Sequence, residues 1–213
     1  SISCFKTSFI FELKFPQEKD VVEKYEEEAY ALQNELGLSG FRFCVADAAD
    51  THFDENSFDS IIMNDAMEHV DKPDAVLKEV KRILKPGGKL YVNFPPYNHP
   101  FGAHLSDVIG IPWVHLFFSD KTLIKAYKIL VKKHPDADDR ISFRIGVDNQ
   151  GKEFFSYINK MSIKRFKNLA ENSGMKVKYY YEAPLRGFFK PLCKIGFVKD
   201  CFVKMVVCVF EKE

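Results

Sequence analysis

Several short stretches of this sequence hold residue types whose order could do chemistry. Asp47-Ala48 closes the run Phe41 to Ala46, and Asn64-Asp65 closes the run Phe58 to Met63. A carboxylate at a strand end can accept a hydrogen bond from an exocyclic amine, and a small neighbour leaves room for a flat ring. Capping a turn is the other role open to Asp47. Glu68-His69 follows closely, and His69 is read either as a site residue or as a hydrogen-bonded structural histidine at a helix start. His99, His104 and His115 lie in a stretch rich in proline and aromatics. A histidine with a pKa near neutrality suits a general base that draws a proton from a hydroxyl or an acidic carbon. For each of the three taken singly, packing is the plainer role. No cluster with metal-ligand spacing stands out, so no metal is expected.

Elements must hold these residues in place. Phe9 to Phe15 alternates like a strand. Pro16 then opens a periodic segment with Val22, Tyr25, Ala29, Leu32 and Leu36 at helical steps, stopped by Gly37. The runs at 41–46 and 58–63 read as buried parallel strands with polar carboxyl ends. A helix is expected over 73–85, capped by Asp71, with Leu77, Val80, Ile83 and Leu84 on one face, and Pro86-Gly87-Gly88 breaks it before a strand over 89–94. Residues 95–160 are less regular and read as an insertion covering the site, with a helix from Ser119. There Pro112-Trp113 and Phe117-Phe118 suggest an aromatic-walled pocket. Ser162 caps a further helix that Gly174 ends, a strand runs over 175–181, and a last strand over about 202–210 pairs antiparallel with it at the sheet edge. This alternation argues for an α/β, doubly wound, mostly parallel sheet with a carboxyl-terminal antiparallel edge strand. The chain reads as one domain, divided as 1–94, 95–160 and 161–213.

Composition narrows the function classes. Thirty-one basic against thirty acidic residues give a net charge of +1, which offers no field to draw in nucleic acid. No stretch approaches the ~20 apolar residues of a membrane span. The five cysteines are odd in number and make no C-x-x-C pair, which fits a reducing cytoplasm. Cys44 and Cys208 sit in apolar runs, where a thiol acts as a small hydrophobe.

The run Phe43 to Asp50, then Asp54 to Ile62, Glu68-His69-Val70 and Leu77 to Leu90 resembles class I S-adenosylmethionine-dependent methyltransferases. It is most similar to the subgroup that includes the ubiquinone and menaquinone biosynthesis enzymes. The resemblance implies a Rossmann-like fold, S-adenosyl-L-methionine as cofactor, and a small-molecule methyl acceptor, with O- or C-methylation the family's most frequent outcome. It implies that Asp47 and Ala48 contact the adenine, that Asn64 and Asp65 face the methionine portion and the substrate entrance, and that His69 stands on the cofactor side. His99, His104 and His115 become the general-base candidates. Asn93 to Tyr97 is one residue longer than the N-P-P-Y box of amino-group methyltransferases and follows a different strand, so adenine in DNA and protein glutamine are not the expected acceptors.

The sequence also departs from that family. Its glycine-rich loop has no counterpart before Asp20, the first glycine being Gly37. If Phe9 to Phe15 is the family's second strand, the acidic ribose-binding position falls near Lys14, with Glu12 two residues away on the same face. About fifteen residues precede the first helix, one strand-helix unit too few for this fold. A truncated or misread gene, a partner chain that completes the fold, or a divergent protein would each account for it. Two further readings stay open: a non-catalytic methyltransferase-like module that binds a partner, and a nicotinamide-dependent oxidoreductase of similar topology.

Overall fold

The computed structural model describes residues 8–13, 19–37, 41–196 and 198–213, and within 8–13, 19–26 and 41–45 it describes the backbone. Strand β1 (Ser8–Leu13), helix α1 (Lys19–Glu35) and strand β2 (Phe41–Ala46) come first. β1 and β2 pair in parallel, with Glu12 opposite Val45, as a sheet of two strands. Gly37, at φ +61°, ends α1 in the left-handed conformation that suits glycine.

Strand β3 (Phe58–Asn64), helix α2 (Pro73–Ile83) and strand β4 (Leu84–Phe94) form the next unit, with β3 and β4 parallel. Pro73 opens α2 where no backbone N–H is needed. The helix boundaries differ from the sequence reading. Lys72, not Asp71, is the N-cap residue, and no side chain caps the helix. The helix stops at Ile83 because Pro86 forces the preceding residue out of the helical region, so 84–88 already belong to β4. β3 is buried on one face only, where Ile61 and Met63 point inward while Ile62 is 73% exposed.

Residues 97–158 build a second apolar cluster around Leu105, Leu123, Ile124, Tyr127, Val131, Phe155 and Tyr157. It holds α3 (Val114–Phe117), α4 (Asp120–Leu130), α5 (Ala137–Arg144) and the hairpin β5 (Ile145–Val147) with β6 (Glu153–Phe155). Ser119 caps α4 through Thr122 N, as its sequence position suggested. The aromatic-walled pocket is not built. Phe117 and Phe118 point largely into solvent, and Trp113 turns away to donate to Cys201 O at 3.3 Å.

Helix α6 (Ile163–Asn172), capped by Ser162, strand β7 (Lys176–Pro184), helix α7 (Lys199–Phe202) and strand β8 (Val203–Glu211) complete the described chain. The main sheet runs β3-β4-β8-β7. β8 is antiparallel to both neighbours, so it is an interior strand, and the edge belongs to β7. Burial explains the exchange: Val203, Val206, Cys208 and Phe210 are fully buried along β8, whereas β7 carries Lys176 and Lys178 and tolerates an edge. Burial pushes the Cys208 thiol up to about 12.

Helices α2 and α6 cover one face of this sheet with Val76, Leu77, Val80, Ile83, Ile163 and Phe166. The other face shows a row in register across the four strands, Ile62, Tyr91, Val209 and Tyr179, in which Tyr91 and Tyr179 are 40% and 52% exposed.

Candidate active site

The carboxyl ends of the parallel strands gather most of the residues singled out by sequence. Asp47 lies exposed at the end of β2, where its Oδ1 accepts from Ala49 N at 2.8 Å and its carbonyl accepts from Asp50 N at 2.9 Å. It caps this turn, and Oδ2 takes no hydrogen bond from the described residues. Ala48 packs half-buried against the main core. Glu79 of α2 anchors the turn from below, accepting from Thr51 N and from the Thr51 hydroxyl. Glu12 stands on β1, and its side chain lies outside the described residues.

At the ends of β3 and β4, Asn93 Nδ2 donates to Asn64 Oδ1 at 2.6 Å, and Asp65 N donates to Asn93 Oδ1 at 3.0 Å. The asparagine of the look-alike box thus orients two site residues instead of recognising an amino group. Asp65 holds φ +47°, a strained conformation for a residue with a side chain.

Residues 66–69 form a turn closed by His69 N donating to Ala66 O, so His69 does not start a helix. Asn159 pins this turn: its Nδ2 donates to Met67 O and Val70 O, and its backbone N–H donates to Glu68 O. Asn159→Ala is expected to cost about 1–3 kcal/mol, the range for buried acceptors left unmade. Urea unfolding checks this, and a loss below about 0.5 kcal/mol, smaller than a typical net hydrogen bond, would show that the turn holds itself.

Three tight turns present the histidines beyond β4. His99 N donates to Pro96 O, Gly102 N to His99 O, and His104 N to Phe101 O. A Cβ on Gly102 would sit 2.0 Å from Tyr97 O, so no other residue fits there. His104 ends the third turn at φ +48°, with its ring 4.9 Å from that of His69. His115 is buried, 4.9 Å between ring centres from Tyr97.

Burial lowers the pKa of all four imidazoles. His99, with His115 and Lys204 adding repulsion, falls to about 4, and His104, beside His69 and Arg144, also falls to about 4. His69 and His115 move down for the same first reason. All four are neutral at pH 7. They keep a lone pair, yet they are weaker bases than the near-neutral histidine that the sequence suggested.

Glu68 was missed by sequence as a site residue. It is 1% exposed, beside His69 and His104, and burial, with Asp65 nearby, raises its pKa to about 8. The signal available was Asp65-x-x-Glu68-His69, three ligating side chains within five residues.

Residues 18–92 match a family model described as a methyltransferase domain. Over this stretch the chain is similar to the methyltransferase domain family. Among curated relatives, phosphoethanolamine N-methyltransferase 1 of Arabidopsis thaliana is 36% identical over 66 residues, 30% of this chain and 13% of that protein. The mitochondrial 2-methoxy-6-polyprenyl-1,4-benzoquinol methylase of Bos taurus is 28% identical over 125 residues, 57% of this chain and 37% of that protein. The chain thus spans well under half the length of both relatives. A solved S-adenosylmethionine-dependent methyltransferase from Methanosarcina mazei superposes with a TM-score of 0.53 at 16% identity, over 96% of this chain and 82% of that one. The α/β, Rossmann-like fold expected from the sequence is therefore the fold found. No helix among the described residues is long and apolar enough to cross a membrane.

Proposed function

We propose that this methyltransferase domain moves a methyl group from S-adenosylmethionine to an oxygen or carbon of a small-molecule acceptor. The family match over residues 18–92 carries the reading, because it spans both Asp47-Ala48 and Asn64-Asp65. Oxygen or carbon is preferred to nitrogen because the stretch shared with the benzoquinol methylase is 125 residues long, against 66 for the N-methyltransferase.

The residues fit the cofactor on one side. An exposed carboxylate with one oxygen to spare, next to a small half-buried side chain, suits the adenine, and Asn64 and Asp65 offer polar groups at the next strand end. On the other side, where the family's glycine-rich loop would bring backbone N–H groups, the described residues offer no counterpart. Among the described residues, β1 is bonded to β2 alone and β3 to β4 alone. The proposal therefore includes a strand-helix unit, from the same polypeptide or a partner chain, that joins β1 to β3 and covers the row Ile62, Tyr91 and Tyr179. Glu12 is assigned to the ribose hydroxyls and His69 to the cofactor side. His99, His104 and His115 are assigned to the acceptor side as neutral proton acceptors. The bound cofactor supplies an electrophilic methyl group for in-line displacement, and the domain aligns the acceptor and keeps water out. The free thiols of Cys193, Cys201 and Cys208 support a reducing, cytoplasmic setting.

Calorimetric titration with S-adenosylhomocysteine tests the reading. Binding is expected, and Asp47→Ala should weaken it by about 1–3 kcal/mol, the scale of one hydrogen bond left unmade. No heat from a cooperatively folded sample would assign cofactor binding to a longer polypeptide or to a complex, and would favour the non-catalytic module for this chain alone.

A further inference from the structure

We propose that Glu68, His69 and His104 form a binding site for a divalent transition-metal cation of the zinc or manganese kind. Residue order alone does not reveal the full set, because His104 lies 35 residues beyond His69 and no spacing rule links them. In the fold, one carboxylate oxygen and one ring nitrogen from each histidine lie within 4.8 Å of one another.

The carboxylate of Glu68 is the observation that asks for a ligand. Its side chain is 1% exposed, and neither oxygen finds a hydrogen-bond partner among the described residues. Such a group is costly to bury alone. The ring nitrogens facing it, His69 Nε2 and His104 Nε2, both stand 3.8 Å from Oε1, beyond hydrogen-bond reach but close around a common point. A neutral, protonated Glu68 would still lack a partner for its proton at these distances.

The histidines are prepared for coordination. His69 Nδ1 lies 2.6 Å from Tyr157 O, which fixes the tautomer with the proton on Nδ1 and leaves the Nε2 lone pair turned toward Glu68. This carbonyl-to-imidazole support is the outer shell that metal-bound histidines commonly have. Asn159 holds the Glu68-His69 turn from outside through three hydrogen bonds. Asp65 adds a negative charge near both Glu68 and His69. Arg144 is the opposing charge, and its guanidinium is paired with Asp107 at 3.3 Å.

An ion about 2.1 Å from each ligand atom needs those atoms roughly 3–3.5 Å apart, so the side chains close in by roughly 1 Å on binding. Two imidazoles and one carboxylate suit zinc, manganese, iron or cobalt better than calcium or magnesium, which favour all-oxygen sites. Three protein ligands leave coordination positions for water or for an acceptor oxygen, and with the ion bound His104 is a ligand, so the proton acceptors of the methyl-transfer reading are then His99 and His115.

The test uses the whole 213-residue chain, stripped with a chelator and titrated with Zn²⁺ by calorimetry and with Co²⁺ by visible absorption. One equivalent of Zn²⁺ should bind, Co²⁺ should give d–d bands of a nitrogen- and oxygen-ligated ion, and the melting temperature should rise. Glu68→Gln and His104→Gln should each weaken Zn²⁺ binding by about 100-fold or more, at least the loss seen when an outer-shell partner is removed. His52→Gln, at an exposed histidine, should leave it unchanged. Circular dichroism confirms the fold of each variant, and His104→Gln at its half-buried position covers the case in which Glu68→Gln does not fold. Absence of a Co²⁺ band with folded wild-type chain, or equal Zn²⁺ binding by wild type and both ligand variants, overturns the proposal. No methyl donor enters these readouts, so they stand or fall apart from the methyl-transfer reading.

Discussion

Phe166→Ala should lower the unfolding free energy by about 3–5 kcal/mol, the range for an aromatic side chain removed from a packed interior. Phe166 is fully buried on α6, its ring centre 4.8 Å from that of Phe94 on β4 and 6.1 Å from that of Phe210 on β8. It therefore joins a helix to two strands that are distant in sequence. The main core lies on one side of the sheet, so there is little second layer to share the loss. Against a typical domain stability of about 5–15 kcal/mol, that loss removes a large share of the total. Urea unfolding with an unchanged slope is the measurement. Phe166→Leu should recover most of the loss, and a cost below about 1 kcal/mol for the alanine variant would mean that α6 does not pack as shown.

The second large effect is expected at Glu79. This carboxylate is 7% exposed and accepts from Thr51 N, the Thr51 hydroxyl, Arg82 Nε at 2.8 Å and Arg82 Nη2. The Arg82 hydrogen bonds, joined by those of Thr51, hold its pKa at about 2. Glu79→Ala strands a buried backbone N–H and half of an ion pair. The cost should be about 2–3 kcal/mol, below the usual range for a broken buried pair because Arg82 is 38% exposed and can turn to water. The pH dependence has a definite sign. A carboxyl whose folded pKa lies below its unfolded value contributes stability that is complete above about pH 4.5 and is lost as the pH falls toward 2. Wild type should therefore lose stability between those values more steeply than Glu79→Ala. Parallel curves would show that Glu79 is not the group responsible. Since Glu79 also anchors the turn that carries Asp47, the variant should bind S-adenosylhomocysteine more weakly at neutral pH.

Much of this was legible from residue order. Ser119 and Ser162 announced two helix starts through a hydroxyl placed to accept an orphan backbone N–H, and Gly37 and Gly174 announced two helix ends. The runs before Asp47 and Asn64 announced strands because their apolar content could not lie in a loop. What misled was local. Asp71 is a good cap by type, but the cap position falls one residue later, at Lys72, and the proline at 86 rather than the glycines after it sets the end of α2. The last two strands pair antiparallel as expected, but which of them takes the edge depends on which is apolar on its inner face along its whole length. The aromatic wall failed because aromatic content says nothing about direction, and Phe117 and Phe118 face solvent. The Glu68, His69 and His104 cluster was hidden because one member comes from a turn after another strand. No spacing rule spans that distance, whereas the orphaned Glu68 carboxylate marks it at once in three dimensions.

The interior position of β8 bears on how the polypeptide is made. β4 and β7 have no bond to each other, and β8, the last strand described, joins them. A ribosome adding about 5–20 residues per second releases β4 several seconds or more before β8 is free to insert. Until then the nascent chain presents two open strand edges and the apolar side chains of α6 with only part of their cover. The domain cannot fold progressively from its amino end. It must wait for β8, which makes it a natural client of holding chaperones on the ribosome and sensitive to any stop codon that falls before the end of that strand.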